Sequence, residues 1–357
     1  MKVIPLGLIR LWEIRVEKMI SREQEQIINA PLTEKTVVMA CAAAGKTFCV
    51  TERIRHILKQ GVDPNKIVAL TFTNNAAAEM RERLGDDYRT GMFIGTMHSY
   101  ANSLLTEKGI DTSTIREEEE FDKLFDLVEM NPLVIKEVDY LICDESQDLD
   151  EQQFAFVTNY LDPKGCLIVG DIRQSIYGFR GANPKCLQFL LMQDDFTVRI
   201  LSENYRNGTA ILKFSERFLV HMRLPFDSKV TPKVEIAGSV VRNSTDTLKR
   251  IIKSKDDYGD WAILCRTNRQ VSEIMSNLAY AHIPCTTFRQ AAGSLDVLKN
   301  KMKENTVKVL TIHSAKGLEF NNVIVFNQRV RGGDKQEELR LQYVAATRAK
   351  KLLYWYD

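Results

Sequence analysis

The stretch TVVMACAAAGKT, residues 36–47, decides the fold of this chain of 357 residues. Its first six residues, Thr36–Cys41, form an apolar run that predicts a buried strand, and a helix is predicted from Lys46 to about Lys59. A strand that passes through a loop ending in Gly-Lys-Thr into a helix is the pattern of a phosphate-binding loop. Backbone N–H groups of the loop and the start of the helix would bind phosphate.

Each residue type in such a loop has a defined task. Lys46 would neutralise the β- and γ-phosphates of ATP, and the Thr47 hydroxyl would ligate Mg²⁺. Alanine and cysteine occupy positions where glycines are common, and a Gly-Lys-Thr triplet also occurs by chance. The residues expected around the nucleotide in this segment are Ala42, Ala43, Ala44, Gly45, Lys46, Thr47 and Phe48.

A second segment, LICDE at residues 141–145, is an apolar strand that ends in two carboxylates. The carboxyl ends of strands are where α/β sheets bind ligands. Asp144 would hold Mg²⁺, and Glu145 would orient or deprotonate the attacking water. The alternative, an acidic surface turn, does not explain why this strand accompanies a phosphate-binding loop.

Strand-like and helix-like segments alternate along the chain, which indicates an α/β fold with parallel sheets and helices on both faces. The pattern restarts after about Val198, so two domains are expected. The other predicted strands are 66–72, 138–143, 166–170, 261–265, 307–312 and 323–326, and a further helix is predicted near 75–84.

Composition excludes several classes of function. A net charge of only +2 argues against a purely electrostatic nucleic-acid binder. None of the seven cysteines forms a CxxC pair, which argues against a zinc or iron–sulfur site. The sequence contains no run of about 18 uncharged apolar residues, so it does not indicate a membrane span. We interpret residues 1–19 as an amphipathic extension and expect a cytoplasmic protein, in the host cytoplasm if it is viral.

Eight segments resemble the motifs of one enzyme family and occur in the order usual for it. They are ISREQ (20–24), TFTNNAAAEM (71–80), GTMHS (95–99), DESQD (144–148), GDIRQSIYGFRGA (170–182), NYR (204–206), TIHSAKGLEF (311–320) and YVAATRA (343–349). The chain resembles superfamily 1 helicases of the UvrD/Rep/PcrA group in a minimal two-domain form. The resemblance implies two RecA-like domains, an ATP site in the cleft between them, and ATP-driven movement along single-stranded DNA, with 3′ to 5′ polarity expected.

The resemblance also predicts how the chain is divided. Residues 20–198 are expected to form the first domain, with a small helical insert at about 109–132, and residues 199–357 the second. Family members commonly carry two large inserted subdomains, and this chain has room for little of the first and essentially none of the second. We therefore expect a monomer that unwinds poorly alone and relies on a protein partner for loading or strand separation.

At the nucleotide site the resemblance gives roles to residues from both halves. Gln24 would read the adenine edge, and Tyr205 would stack on the base. Gln174 would sense the γ-phosphate, and Arg206 and Arg348 would act as arginine fingers. The expected catalytic residues are Lys46, Asp144, Glu145, Gln174, Arg206 and Arg348, and Gly317 and Glu319 complete the cofactor-binding set.

For the nucleic-acid track, the resemblance implies that bases stack on Phe72, Tyr177 and Phe179. Stacking on aromatic rings tolerates any base sequence, as a translocating motor requires. Each ring taken alone favours core packing, and its place inside a motif favours nucleic-acid contact. The other expected contacts to the strand are Asn74, Thr96, His98, Arg180, Arg266, Asn268 and His313.

Several positions depart from the family pattern. Asn75 stands where lysine is usual, and Ile172 and Arg173 stand where acidic residues are common. The altered phosphate loop leaves open a nucleotide-gated clamp or regulator on single strands, with weak unwinding that needs a partner. RNA is a less expected track. A small-molecule kinase does not explain the later motifs.

Overall fold

A computed structural model describes residues 20–115, 120–226, 229–244, 251, 257–288, 295–326 and 334–356. The predicted extension at residues 1–19 lies outside the described residues. Strands in these ranges form two six-stranded sheets in which all pairs are parallel. Helices connect the strands, so the predicted α/β class with two RecA-like sheets is confirmed.

The first sheet has the strand order β3-β2-β4-β5-β1-β6. Its strands are β1 (Lys35–Ala40), β2 (Ile67–Thr71), β3 (Phe93–Thr96), β4 (Tyr140–Cys143), β5 (Gly165–Gly170) and β6 (Phe196–Leu201). The helices of this half are α1 (Arg22–Ile28), α2 (Lys46–Lys59), α3 (Asn74–Leu84), α4 (Met97–Glu107), α5 (Lys123–Met130), α6 (Glu151–Ala155) and α7 (Pro184–Leu190).

The central strands of this sheet are apolar because both their faces are covered. Every residue of β2, β4 and β5 is buried, as are the five residues of β1 after Lys35. Ser21, Thr73 and Thr96 start α1, α3 and α4, because each side chain accepts a hydrogen bond from a backbone N–H in the first turn. Since β4, β5 and β1 are neighbours, the loops that follow them lie side by side.

The second sheet has the order β11-β12-β10-β13-β14-β9. After a small pair of β7 (Glu203–Asn204) and β8 (Thr231–Pro232), its strands are β9 (Ser239–Arg242), β10 (Trp261–Cys265), β11 (Cys285–Thr286), β12 (Val307–Thr311), β13 (Phe320–Phe326) and β14 (Ala349–Tyr356). The helices are α8 (Thr209–Leu219), α9 (Asn268–Tyr280), α10 (Leu295–Lys303) and α11 (Lys335–Ala346). Among the described helices, none has the length and apolar character needed to cross a membrane.

The first half of the chain extends beyond the predicted boundary, because strand β6 crosses it. The first domain was expected to end at residue 198, but β6 continues to Leu201 and pairs with β1 along its whole length. β6 lies at the edge of the sheet, and most of its residues are exposed or only partly buried. It therefore lacks the apolar run that marks the central strands, and the first sheet extends to Leu201.

Helices occupy the two connections where the family commonly has large insertions. α5 is the helix described within the predicted insert at about 109–132, of which residues 116–119 lie outside the described ranges. α10 lies between β11 and β12, where nothing was predicted. It contacts α3 through an ion pair between Lys299 and Glu82, so it bridges the two halves.

Candidate nucleotide site and nucleic-acid track

A cleft of about 1300 Å³ opens between the two halves at the carboxyl ends of their strands. Loops after β1, β4 and β5 line one wall, and the β12–β13 loop and the start of β14 line the other. Parallel sheets bind ligands at this edge. The predicted nucleotide-site residues that line the cleft are Ala43, Ala44, Gly45, Lys46, Thr47, Phe48, Asp144, Glu145, Gln174, Tyr205, Arg206, Gly317, Glu319 and Arg348.

The phosphate loop between β1 and α2 is held from outside by other segments. Arg173 Nη2 donates to the carbonyl oxygen of Ala40 (2.7 Å), Asn204 Nδ2 to that of Ala42 (2.8 Å), the Tyr205 N–H to that of Ala43 (3.1 Å), and Gln24 Nε2 to that of Ala44 (3.1 Å). Ala43 has a left-handed φ of 58°, which costs about 1–2 kcal/mol in a residue other than glycine. The external bonds hold this strained loop with its carbonyl groups satisfied, and N–H groups at the start of α2 remain for an anion.

Lys46 and the two carboxylates after β4 face one another in the cleft. Lys46 Nζ lies 3.4 Å from Glu145 Oε1. Burial opposes ionisation of Glu145, but the charges of Lys46 and Lys316 and a hydrogen bond from Gln147 outweigh it and lower the pKa of Glu145 to about 2. Burial raises the pKa of Asp144, and the charge of Glu145 raises it further. Glu145 is thus the more readily ionised member of the pair, and a bound cation would favour ionisation of Asp144 as well.

The surroundings of Asp144 fit a hydrated Mg²⁺. Thr47 and Asp144 both line the cleft, as the predicted metal ligands should. Thr71 Oγ1, at the end of β2, also belongs to the cleft wall, and it is buried without a hydrogen-bond partner among the described residues. A metal-bound water would satisfy this hydroxyl, because Mg²⁺ usually keeps several waters in its coordination shell.

The second half of the chain brings arginine and lysine side chains to the cleft. Arg206 Nε pairs with Glu319, which also pairs with Lys350, a residue that was not predicted. Arg348 is only 1% exposed, and its Nη2 donates to Gln174 Oε1 at 3.1 Å. The bond from Arg348 joins the second half directly to the predicted γ-phosphate sensor of the first.

Lys316 and Asp148 also belong to the site, although sequence reasoning did not single them out. Lys316 Nζ pairs with the Asp148 carboxylate and donates to the backbone oxygen of Gln174 at 2.8 Å. It also lies 4.9 Å from the centroid of the Tyr177 ring. Both residues lie inside quoted motifs, so a signal existed, but only the fold shows that they pair across the two halves.

Gln24 makes contacts within the protein besides the predicted contact with adenine. Its Nε2 donates to Ala44 O and its Oε1 accepts from the Ser21 N–H, each at 3.1 Å, in a side chain that is 4% exposed. The amide therefore caps α1 and supports the phosphate loop with one of its two donors and one of its two acceptor lone pairs, and its contact with adenine stays a prediction. Ala42, also predicted at the nucleotide, is fully buried and is not among the residues that line the cleft. Tyr205 is 38% exposed, which leaves its ring accessible to a base.

Four rings form a cluster beside the cleft, in loops that follow β2, β5 and β12. Phe72 stacks on Tyr177 with ring centroids 5.5 Å apart and an interplanar angle of 19°. Phe179 packs edge-on against Tyr177 at 6.1 Å and against His313 at 5.2 Å. Phe179 is nevertheless 67% exposed, which core packing does not explain. The fold brings the three predicted stacking residues together with His313 from the second half.

Some of the other predicted strand contacts are open to solvent and some are not. Asn74, Arg180 and Asn268 are exposed, so a nucleic acid can reach them. His313 Nε2 lies 3.2 Å from the backbone oxygen of Ile176. Burial, and the nearby charge of Arg266, lower the pKa of His313 to about 4, so its ring is neutral near pH 7 and contributes no charge to phosphate binding.

Three predicted contacts are engaged by the protein itself. Arg266 pairs with Glu338, and its side chain is only 7% exposed. The Thr96 hydroxyl caps α4, and His98 Nε2 lies 3.1 Å from Asp122 Oδ1. The sequence predicted that all three contact the nucleic acid. In this conformation, each makes a tertiary or capping contact within the protein.

Fold and site together define a phosphate-loop nucleotide-binding protein whose site is completed by two parallel-sheet halves. The family model for the UvrD/REP helicase N-terminal domain matches residues 20–132 and 128–197. The model for the UvrD-like helicase C-terminal domain matches residues 290–356. The chain therefore belongs to the UvrD/Rep helicase family.

Individual family members show the same similarity. The chain is 26% identical over 365 residues to the ATP-dependent DNA helicase PcrA of Leuconostoc citreum, which covers 73% of this chain and 48% of PcrA. It is 25% identical over 364 residues to the ATP-dependent DNA helicase Rep of Escherichia coli K12, covering 73% and 54%. It is 26% identical over 322 residues to the Gabija protein GajB of Bacillus cereus, covering 75% and 65%. The chain thus spans about half the length of PcrA and Rep.

Proposed function

We propose that this chain is an ATP-dependent translocase and helicase that moves 3′ to 5′ along single-stranded DNA. The observation that carries the proposal is the hydrogen bond from Arg348 to Gln174. Gln174 belongs to the same loop as Tyr177 and Phe179, on which bases would stack. If a phosphate of ATP attracts Arg348, Gln174 loses this hydrogen bond. The change therefore occurs in the loop that also carries Tyr177 and Phe179.

In the proposed cycle the phosphates of ATP rest on the loop and the start of α2. Lys46 turns from Glu145 to the phosphates, and Arg206 and Arg348 close on them from the other half. Thr47 and Asp144 would hold Mg²⁺, which when bound neutralises phosphate charge. Glu145, which is ionised, then accepts a proton from the attacking water; departure of Lys46 removes one of the charges that lower its pKa and so makes it a stronger base.

Ring faces supply most of the described track, and a ring face does not distinguish one base from another. Base stacking contributes about 1–3 kcal/mol per base whatever the sequence. Phe72 and Tyr177 stack on each other, so a base enters between them only when the rings separate. We propose that the chain works as a monomer with a protein partner for loading or strand separation, because the connections that hold α5 and α10 are short.

Translocation can be tested by the release of streptavidin from biotin at either end of an oligo-dT strand. We expect ATP-dependent release from the 5′ end and little from the 3′ end, with none for Lys46→Ala. Tight, ATP-dependent binding without release from either end would support the clamp instead. Release from oligo-rU but not from oligo-dT would identify RNA as the track.

A further inference from the structure

The acidic and basic pair Asp171 and Arg173 lies behind Gln174 in the loop after β5. Asp171 is fully buried and Arg173 is 2% exposed. Arg173 Nε donates to Asp171 Oδ1 at 2.7 Å, and the Arg173 backbone N–H donates to the same oxygen at 3.1 Å. Arginine at position 173 is one of the departures from the family pattern, and its bond to Ala40 does not explain why it is paired with Asp171.

The second oxygen of Asp171 reaches the sensor residue. Asp171 Oδ2 accepts a hydrogen bond from Gln174 Nε2 at 2.6 Å. A carboxylate paired with a buried guanidinium only accepts hydrogen bonds, so the nitrogen end of the Gln174 amide must face it. The oxygen end then points the other way, where Oε1 accepts from Arg348 Nη2 at 3.1 Å. Asp171 thus decides which atom of Gln174 faces the cleft.

Arg173 holds Asp171 in place from the opposite side. Its Nη2 donates to Ala40 O, at the end of β1, and its guanidinium lies 5.4 Å from the Phe226 ring centroid. The Asp171 N–H also donates to Gln147 Oε1 at 2.8 Å. Arg173 therefore links the carboxylate to the phosphate loop, the backbone of Asp171 is fixed to Gln147, and the carboxylate cannot turn away from Gln174 without breaking its bonds to Arg173.

We propose that Asp171 and Arg173 are a positioning pair that presents the amide oxygen of Gln174 to the nucleotide. Resting on the proposed ATPase function, this makes Gln174 a hydrogen-bond acceptor, first for Arg348 and then for the attacking water when Arg348 moves to the phosphate. One proton of the amide nitrogen is held by Asp171, so the oxygen is the end of the amide that faces Arg348. The orientation of the Gln174 amide therefore couples the movement of Arg348 to the phosphate with the alignment of the attacking water.

Exchanging the carboxylate and the amide between positions 171 and 174 tests which end of the Gln174 amide must face the cleft. In Asp171→Asn the new amide can donate to Gln174, so Gln174 can turn its nitrogen to the cleft. In Gln174→Glu the residue has no proton to donate to Asp171, and two carboxylates oppose each other. Each single variant should lower kcat for basal ATP hydrolysis by about tenfold or more, which corresponds to about 1.4 kcal/mol. The affinity for a non-hydrolysable ATP analogue should change little in Asp171→Asn.

The double variant Asp171→Asn/Gln174→Glu restores a donor facing an acceptor and leaves the net charge unchanged. We expect its kcat to exceed that of both single variants clearly and to approach the native value. If Gln174 acts by donating to the phosphate, the double variant will be as inactive as Gln174→Glu, and the proposal fails. Native kcat in both single variants would overturn it as well.

Arg173→Lys and Arg53→Lys form a matched pair for the effect of losing a buried guanidinium. Arg53 is fully buried and donates to Tyr140 Oη at 2.9 Å, away from the cleft. Both variants should lose thermal stability, but only Arg173→Lys should lower kcat at saturating ATP. Equal kcat in the two would remove Arg173 from the proposal. Because basal hydrolysis is compared, an absence of DNA stimulation in the native chain would count against the motor and not against the positioning pair.

Discussion

Replacement of Arg348 by alanine is expected to lower kcat for ATP hydrolysis by about 10³-fold or more, the range of arginine fingers in phosphate-loop enzymes. Arg348 comes from the second half and already bonds to Gln174 in the first. Its planar guanidinium can bind a phosphate through two donors at once, which a lysine does not do. ATP should still bind, because Lys46 and the loop are unchanged. Steady-state kcat and equilibrium binding of a fluorescent ATP analogue separate the two effects.

Arg348→Lys is the matched control for charge. It keeps a cation but loses the second donor and the reach of the guanidinium, so kcat should also fall strongly. Since Arg348 is almost fully buried, thermal melting must show that both variants fold. A kcat close to the native value together with weaker ATP binding would mean that Arg348 holds the nucleotide and has no role in the chemical step.

Glu145→Gln is expected to lower kcat by about 10²- to 10⁴-fold, the usual contribution of a general base. ATP affinity should stay the same or increase, because Glu145 is the partner that Lys46 must leave before it reaches the phosphates. Since the pKa of Glu145 is lowered to about 2, the native carboxylate is ionised at neutral pH and able to accept a proton. Single-turnover hydrolysis and ATP binding at pH 7 measure both effects.

Glu151→Gln provides the comparison, because Glu151 is an exposed carboxylate on α6. It should leave hydrolysis and binding unchanged. If Glu145→Gln instead weakened ATP binding and kept the native kcat, Glu145 would act through the orientation of Lys46, and another group would have to activate the water.

Sequence reasoning predicted the central parts of both sheets because their strands are continuous apolar runs. The predicted strand 261–265 and the helix over 46–59 match β10 and α2, and the other predicted strands overlap observed ones. The predicted first domain ended at residue 198, inside β6, because this edge strand is not a continuous apolar run. α10 was missed although Leu295, Leu298 and Met302 recur at helical spacing, because its nine residues are fewer than the window over which such a pattern indicates a helix.

At the site, motifs identified residues but not their partners. The positions of Lys46, Glu145 and Gln174 follow from the order of strands, because each stands just beyond a neighbouring strand. The pairing of Arg266 with Glu338 could not be predicted, because α11 meets the end of β10 only in the folded chain. The bonds that satisfy Gln24 depend in the same way on the path of the phosphate loop.

The measurement that tests the central claim most directly is steady-state ATP hydrolysis with and without oligo-dT, in the native chain and in Phe179→Ala. Phe179 is exposed and lies outside the ATP cleft lining, so its loss should leave basal hydrolysis intact. We predict that saturating oligo-dT raises the native kcat by about tenfold or more, equivalent to about 1.4 kcal/mol, and that Phe179→Ala needs more oligo-dT for the same effect. A native chain that binds both ATP and oligo-dT but hydrolyses ATP at one rate with and without the strand would contradict a motor in which the two sites are coupled.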